Sequence, residues 1–348
     1  MLNTYEPTFL YLQEEDAIKA GATDMKMTLD ACEKVHKLIA ENQIYNPAKS
    51  HIGLPLGSSK TNWQSFFNAM PCFIGGDVNV GGVKWAAEAR KNATVPGIPY
   101  GIDITILSDP NTVLPFCVLN GTLITAMRTG ATAGLFAKYT APSNTETVTS
   151  IGCGVVGQTT VMAVAEALPQ TKKLYVSDLD MSKAEATVKE YQPKYPNMEM
   201  IPTDDPKAAA MESQVIITQT TSPKEFIDAS WMKPNTSLVA VGAQEVELEV
   251  VEKSDIIVCD YWDQMIEFIS RPVAALHAAG KLEKEQTVDL TDIILDPVKG
   301  RANDDQFVYS SALGLGSLDI MISYYIYKRA LELGIGQTLK MYDKPLWE

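Results

Sequence analysis

The chain has 348 residues, of which 46% are hydrophobic and 21% charged, and its formal net charge at pH 7 is −14. A chain of this length exceeds the size at which one core usually stops growing, so two domains are expected. The acidic charge disfavours nucleic acid and anionic membranes as partners, and the sequence has no apolar run of about 18 residues that would predict a membrane span.

The elements predicted before residue 146 form a mixed pattern. Apolar positions at helical spacing predict one helix over residues 14–42, and a second helix is predicted over 121–138. Short strand-like runs lie between them, at 71–74, 82–85, 100–107 and 113–118. Asp109-Pro110-Asn111 predicts a turn between the last two runs. Strands joined in this way indicate an antiparallel or mixed sheet.

After residue 146, strands and helices alternate. Strands are predicted at 147–151, 174–178, 198–202, 214–219, 237–242 and 256–260, with helices at 156–168 and 182–191. Their continuous apolar content is typical of a parallel sheet that is buried on both faces. The alternation predicts a doubly wound α/β domain. A last helix, predicted over Ser310–Leu333, could return to the first domain.

A glycine-rich loop joins the first strand and helix of this second half. Gly152, Gly154 and Gly157 fit the G-x-G-x-x-G pattern. The first permits a tight turn, the second lets the backbone approach a pyrophosphate, and the third allows helix and strand to pack closely. The helix start, at Val155 and Val156, offers free N–H groups and a positive dipole end to the phosphates.

An acidic residue ends the next predicted strand. Asp178 follows Gly157 by 21 residues, close to the interval of about 20 that is typical of dinucleotide-binding units. A carboxylate there accepts hydrogen bonds from both ribose hydroxyls and repels a 2′-phosphate. The sequence therefore predicts NAD as cofactor rather than NADP, with Asp180 as a competing ribose ligand.

Cysteines and histidines give no metal-binding pattern. The five cysteines and three histidines are scattered without ligand spacing, so no metal site is expected. The N-terminal segment is acidic and has no basic region followed by an apolar stretch, so a signal peptide is not expected. Free buried thiols suit a reducing compartment, and the expected location is cytoplasmic.

Four stretches resemble the family that includes ornithine cyclodeaminase, archaeal alanine dehydrogenase and mu-crystallin. Besides the glycine loop, they are a GVKW strand, an NGTLITAMRTGA helix and a tail with the pattern GRxxDD…GxxxxD. In this chain they occupy Gly82–Trp85, Asn120–Ala131, and Gly300–Asp305 followed by Gly314 and Asp319. The resemblance covers nearly the whole chain.

The resemblance implies an architecture. A Rossmann NAD-binding domain, here residues 129–309, is inserted in an α+β substrate-binding and dimerisation domain built from both chain ends, here 1–128 and 310–348. It also implies a homodimer and a small amino-acid or imine substrate.

The resemblance also assigns roles to basic residues. Lys84 and Arg128 match the family residues that hold the substrate carboxylate near the nicotinamide. A guanidinium fits a carboxylate bidentately. A lysine on an apolar strand would be desolvated and could lose its proton, which suits proton transfer. Lys49 matches a third basic residue, where the family usually has Arg, and His51 could share its role. Thr129 is expected to contact the pyrophosphate.

The chain departs from the family where a catalytic acid/base is expected. The family reads GADxPGKxEL, whereas this chain reads GAQEVEL, with Gln244 at the position of the Asp. A neutral amide cannot take a proton from an amine. Either Glu245 or Glu247 substitutes, or Lys84 works alone, or the reaction differs. A solvated loop edge is the favoured interpretation of the two glutamates.

Three functions follow from this pattern. The first is an NAD-dependent oxidoreductase acting on a C–N bond of a small amino acid or its imine. The second is a redox-neutral ornithine or lysine cyclodeaminase, which the change at Gln244 disfavours. The third is a non-catalytic dinucleotide- or ligand-binding protein, against which the retained Lys84 and Arg128 argue.

Overall fold

The computed structural model describes residues 7–55 and 63–347. The described residues form two compact units. The first lies within Met1–Ala31, Glu41–Thr125 and Leu315–Glu348, and the second within Cys32–Ala40 and Ala126–Gly314. This division differs from the predicted domain boundaries mainly at residues 32–40, which group with the second unit.

Strands and helices are numbered here in chain order. The strands are β1 Thr8–Leu12, β2 Ile44–Tyr45, β3 Ser50–Leu54, β4 Ser65–Ile74, β5 Val80–Ala89, β6 Gly101–Ser108, β7 Pro115–Asn120, β8 Thr147–Ile151, β9 Lys173–Ser177, β10 Glu199–Thr203, β11 Val215–Thr218, β12 Thr236–Ala240, β13 Ile256–Cys259, β14 Thr287–Asp289, β15 Phe307–Ser311 and β16 Gln337–Lys340. The helices are α1 Glu14–Lys19, α2 Met25–Ala40, α3 Thr122–Thr140, α4 Val155–Ala167, α5 Met181–Tyr191, α6 Pro206–Glu212, α7 Leu248–Glu252, α8 Trp262–Met265, α9 Pro272–Ala278, α10 Leu290–Leu295 and α11 Gly316–Leu333.

The first unit is built on a mixed sheet. Its order is β16-β1-β7-β6-β5-β4-β2, and β3 also pairs with β4. The β1–β7 pair is parallel, and the other pairs are antiparallel. Helix α11 lies close against β4 and β5, because a Cβ at Gly82 would come within 2.6 Å of Ile320, and one at Gly316 within 2.9 Å of the Met70 carbonyl oxygen.

The second unit is a parallel sheet of the predicted Rossmann type. Its order is β10-β9-β8-β11-β12-β15-β13-β14, and every pair is parallel. The central strands β11, β12 and β15 are buried along their whole length. The apolar runs of the sequence therefore occupy the middle of a sheet that is covered on both faces. The predicted α/β class and the inserted Rossmann unit are confirmed.

Two helix predictions were wrong in their extent. The single helix expected over 14–42 is two helices, because the backbone at Gly21 has a φ of +99° and leaves the right-handed helical region between α1 and α2. The helix expected over Ser310–Leu333 begins only at Gly316. Ser310 and Ser311 belong to β15, where they pair with β12 on one side and β13 on the other. Pairing within the sheet overrides the helical spacing of the local sequence.

Within the described residues, none of the helices combines the length and the apolar character needed to cross a membrane. The same part of the chain has no group of three or more His, Cys, Asp or Glu side chains arranged to hold a metal ion.

Candidate functional site

The glycine loop lies between β8 and α4, as the sequence predicts. Gly152 has a φ of +108°, which favours glycine. A Cβ at Gly157 would lie 1.8 Å from the Gly152 carbonyl oxygen, so the helix and the loop touch without room for a side chain. At Gly154, the N-cap of α4, a Cβ would meet nothing within 4 Å. Gly154 thus faces open space, next to the N–H groups of Val155 and Val156 in the first helical turn.

Asp178 is fixed beside this loop. One oxygen of its carboxylate accepts a hydrogen bond from the Cys153 N–H at 2.8 Å, and the other accepts one from the Asp180 N–H at 3.0 Å. The side chain of Asp180 instead caps helix α5, where it accepts a hydrogen bond from the Ser182 N–H at 3.1 Å. Hydrogen bonds from Ser182 hold the pKa of Asp180 below its usual range. Of the two acids, Asp178 is the one attached to the glycine loop.

Gln219 also supports the glycine loop, although no motif in the sequence predicts this role. Its side-chain amide donates to the Gly152 carbonyl oxygen at 2.9 Å and contacts the Ser150 hydroxyl at 2.8 Å. The residue is 8% exposed and follows the end of β11. The sequence shows only that Gln219 is a polar residue after a buried strand. The pairing of β11 with β8 is what brings Gln219 to the glycine loop.

Lys84 lies in a buried polar cluster of the first unit. Its ammonium group is 3.0 Å from the carboxylate of Asp319 and 3.4 Å from the Thr125 hydroxyl. Thr125 in turn donates a hydrogen bond to Asp103 and lies 3.3 Å from the other oxygen of Asp319. Lys84, Asp319 and Asp103 are at most 5% exposed. Strand β5 contributes Lys84, β6 contributes Asp103, and α3 and α11 contribute the other two residues.

This cluster changes the expected protonation of Lys84. Its apolar neighbours on the strand predict a desolvated amine that could lose its proton. A carboxylate at 3.0 Å favours the charged ammonium instead. Asp319, which occurs in the C-terminal tail pattern, thus acquires a role that the sequence did not assign to it.

Arg128 is packed against Gly314, and both residues belong to the second unit. Its side chain is 9% exposed, and Gly314 has a φ of +83°. A Cβ at Gly314 would lie 2.3 Å from Nη1 of Arg128, so the glycine backbone directly borders the guanidinium. Arg128 lies on α3 one helical turn after Thr125, the residue that contacts Lys84.

The segment after β12 contains the substituted acid position. Gln244 is half-buried, as is Glu247, which is the N-cap residue of α7. Glu245 is 1% exposed, so the interpretation of a solvated edge was wrong for this residue. Its carboxylate accepts a hydrogen bond from the Thr220 N–H, and burial raises the pKa of Glu245 above its usual value. The side chain of Glu245 turns inward into space that the missing side chain of Gly242 leaves. A Cβ at Gly242 would come within 2.2 Å of the Glu245 carboxyl group.

The remaining predicted residues are half-buried. Lys49 directly precedes β3, and Thr129 lies on α3. The next residue, Gly130, marks where α3 crosses α4, because a Cβ there would come within 2.6 Å of the Thr159 backbone. His51 contacts Asn68 at 2.8 Å through Nδ1. The roles of Lys49 and Thr129 stay predictions.

Arg301, in the GRxxDD part of the tail, stabilises the fold. Its guanidinium donates hydrogen bonds to the carbonyl oxygens of Thr140, Thr236 and Gln306 at 2.7, 2.9 and 2.6 Å. These bonds join the end of α3 to the beginning of β12. Two other residues of the tail contact predicted site residues: Gly314 borders Arg128, and Asp319 pairs with Lys84.

Comparison with known proteins identifies the family. The model of the ornithine cyclodeaminase/mu-crystallin family matches residues 29–334. The chain belongs to this family. It is 28% identical over 334 residues to N-((2S)-2-amino-2-carboxyethyl)-L-glutamate dehydrogenase of Staphylococcus aureus, a match that covers 96% of this chain and 98% of the relative. It is 26% identical over 349 residues to the alanine dehydrogenase of Archaeoglobus fulgidus, a match that covers 96% and 99%.

Solved structures agree with this assignment. The Δ1-pyrroline-2-carboxylate reductase of Thermococcus litoralis, in complex with NADH and L-proline, superimposes with a TM-score of 0.82 at 25% identity and covers 94% of this chain and 99% of that one. An archaeal alanine dehydrogenase dimer with bound NAD has the same fold, with a TM-score of 0.84 at 23% identity and coverage of 96% and 100%. The family, the enzyme class and the NAD cofactor predicted from the sequence are confirmed.

Proposed function

We propose that this chain is an NAD-dependent oxidoreductase that interconverts a small amino acid and its imine at the C–N bond. The observation that carries this proposal is the charged pair Lys84–Asp319, at 3.0 Å, in a chain whose acid/base position holds the neutral Gln244. Dehydrogenation or imine reduction needs one proton and one hydride at the C–N bond. Cyclisation with loss of ammonia needs further proton transfers, for which a glutamine supplies no group.

The cofactor assignment is supported by the loop and by Asp178. The open space at Gly154 suits a pyrophosphate, and the N-terminus of α4 suits its charge. Asp178 accepts a hydrogen bond from the Cys153 N–H and lies beside the glycine loop, where a carboxylate that binds the ribose hydroxyls is expected. Bound NAD(H) supplies the hydride chemistry, which leaves binding, orientation and proton transfer to the protein.

Arg128 and Lys84 take these remaining tasks. The planar guanidinium of Arg128 would bind the substrate carboxylate bidentately, and its position is restricted by the backbone of Gly314. In the reductive direction, Nζ of Lys84 would give a proton to the imine nitrogen as the carbon receives the hydride. Asp319 favours the ammonium form, so it keeps this proton on Nζ before the reaction.

An assay with a substrate panel tests the proposal. The panel contains L-alanine, L-proline and N-((2S)-2-amino-2-carboxyethyl)-L-glutamate with NAD, and pyruvate plus ammonium with NADH. We expect a change in NADH absorbance with at least one pair, and its loss in Lys84→Met. Lys138→Met is the matched control, because Lys138 forms an ion pair on the protein surface with Glu33.

Two outcomes would count against this function. Ammonia release from ornithine or lysine without net NADH formation would identify a redox-neutral cyclodeaminase. Tight NADH binding with no turnover of the panel by the wild-type protein would favour a binding role. A Gln244→Asp variant that gains ammonia release from ornithine would show that this position separates the two reactions.

A homodimer is part of the proposal. Large apolar side chains occupy one face of the first sheet, on the side opposite Lys84, and they are 43–47% exposed: Ile52, Trp85, Ile102 and Ile104. An exposed patch of this kind is typical of an interface. A second copy is the expected occupant, since a relative of the same fold is a dimer. Sedimentation of wild type and Trp85→Glu tests this, and a wild-type monomer would overturn it.

A cytoplasmic location also stays a proposal. All five cysteines are buried, and buried thiols suit a reducing compartment. Fractionation of the producing cells would test it.

A further inference from the structure

A buried aspartate at the carboxyl edge of the Rossmann sheet has no role in the function proposed above. Asp260 directly follows β13 and is 0% exposed. One of its oxygens accepts two backbone hydrogen bonds, from the N–H of Leu313 at 2.7 Å and from that of Gly314 at 2.5 Å. Its other oxygen accepts the Tyr261 N–H at 3.0 Å. The carboxylate thus ties the end of β13 to the segment that follows the neighbouring strand β15.

The segment held by Asp260 is the one that borders Arg128. Gly314 adopts a left-handed backbone, with a φ of +83°. In this conformation its Cα lies so close to Arg128 that an added Cβ would be 2.3 Å from Nη1 and 3.1 Å from Cζ. A change in the backbone at 313–314 therefore changes the surface that the guanidinium of Arg128 contacts.

The same carboxylate acts on a second loop through Arg271. The guanidinium of Arg271 donates to the carbonyl oxygens of Val241 and Gly242, both at 3.1 Å. Burial lowers the pKa of Arg271, and the negative charge of Asp260 opposes that shift. Asp260 thus stabilises the charged arginine that holds the start of the segment containing Gln244.

We propose that Asp260 is a positioning residue that fixes the Leu313–Gly314 backbone and thereby the carboxylate-binding orientation of Arg128. This inference rests on the proposed function, because it assumes that Arg128 binds the substrate carboxylate. Nothing in the sequence marks Asp260 for this role. It acts through the two N–H groups of the neighbouring segment, without touching the substrate.

The test uses the full-length protein loaded with NADH and two readouts. Hydrogen exchange measures protection of the Leu313 and Gly314 amides. Calorimetry measures the affinity for oxalate, a carboxylate probe that has no side chain. In Asp260→Asn, the remaining oxygen is uncharged and therefore a weaker acceptor, and the amide nitrogen accepts no hydrogen bond, so the bonds from Leu313 and Gly314 are weakened or lost whichever way the amide is oriented. We expect exchange at 313–314 to accelerate and oxalate to bind about tenfold more weakly, with NADH affinity unchanged.

Two further variants make this test specific. Asp289→Asn is the matched control, because Asp289 is a half-buried acid that accepts a backbone hydrogen bond from Trp262 at 3.0 Å and forms no hydrogen bond with residues 313–314 in the structure. In Gly314→Ala, the added methyl group would overlap the guanidinium of Arg128. This variant replaces Asp260→Asn in the test if Asp260→Asn does not fold. It should weaken oxalate binding by a similar factor.

The outcomes separate this inference from the proposed function. Unchanged exchange at 313–314 in Asp260→Asn, or an oxalate affinity no weaker than that of Asp289→Asn, would overturn it. If Asp260→Asn does not fold, unchanged oxalate binding by Gly314→Ala would overturn it. Oxalate binding that Arg128→Met does not weaken would instead contradict the proposed role of Arg128, while the exchange data would still test the attachment by Asp260.

Discussion

Two glycines in the same loop provide the sharpest test of the cofactor site, because one is required by the fold and the other by the ligand. In Gly157→Ala, the new Cβ would lie 1.8 Å from the Gly152 carbonyl oxygen, well inside the 3.4 Å at which ordinary van der Waals contact begins. Backbone atoms on both sides must move to relieve this overlap, and overpacking of this kind costs about 1–3 kcal/mol or more. We therefore expect a free energy of unfolding lower by about 3 kcal/mol, together with loss of NADH binding.

Gly154→Ala is the matched variant. Its Cβ would meet nothing within 4 Å, and the residue has a φ of −67° that alanine adopts readily. The loss of a preferred N-cap residue should cost about 1 kcal/mol or less. NADH affinity should nevertheless fall at least about tenfold, because the methyl group occupies the space expected for the pyrophosphate.

Urea denaturation and titration of NADH fluorescence measure the two quantities separately. Equal stability of Gly157→Ala and Gly154→Ala would refute the steric role of Gly157, since the two variants add the same methyl group. Undiminished NADH binding by Gly154→Ala would show that the cofactor does not approach the loop at this residue.

Three other substitutions test the charged groups. Asp178→Ser should weaken NADH binding about tenfold and reduce the preference for NADH over NADPH, both measured by fluorescence titration; an unchanged preference would contradict the ribose role. Lys84→Met removes the ammonium group that lies 3.0 Å from buried Asp319. We therefore expect loss of turnover, and urea denaturation should show a free energy of unfolding lower by about 3–5 kcal/mol. An unaltered stability would contradict the ion pair. Burial raises the pKa of Glu245 in the folded protein from its usual 4.5, so its contribution to stability is present at low pH and is lost as the pH rises above that value. Glu245→Gln keeps an acceptor for the Thr220 N–H, and its stability relative to wild type should therefore increase with pH in denaturation series; a constant difference would contradict the shift.

The sequence by itself determined the nucleotide-binding half of this protein. The strand, the glycine loop, the helix and Asp178 lie within a short stretch, and each glycine has a local steric reason that can be read from the pattern. The continuous apolar strands likewise indicate a parallel sheet before any pairing is known. The motifs around Lys84 and Arg128 led to the family by resemblance, and residues 29–334 match it.

Only the tertiary structure decided the electrostatics around these motifs. Lys84 and Asp319 come from distant parts of the chain, and their contact puts a carboxylate 3.0 Å from an amine that the strand alone surrounds with apolar neighbours. Glu245 looks solvated in a polar run, yet the space at Gly242 allows it to turn inward. Ser310 and Ser311 stand at the start of a segment with helical spacing, yet they belong to strand β15 and pair with β12 and β13. In each case a partner far along the chain changes the burial or the charge of the residue, and local spacing carries no information about that partner.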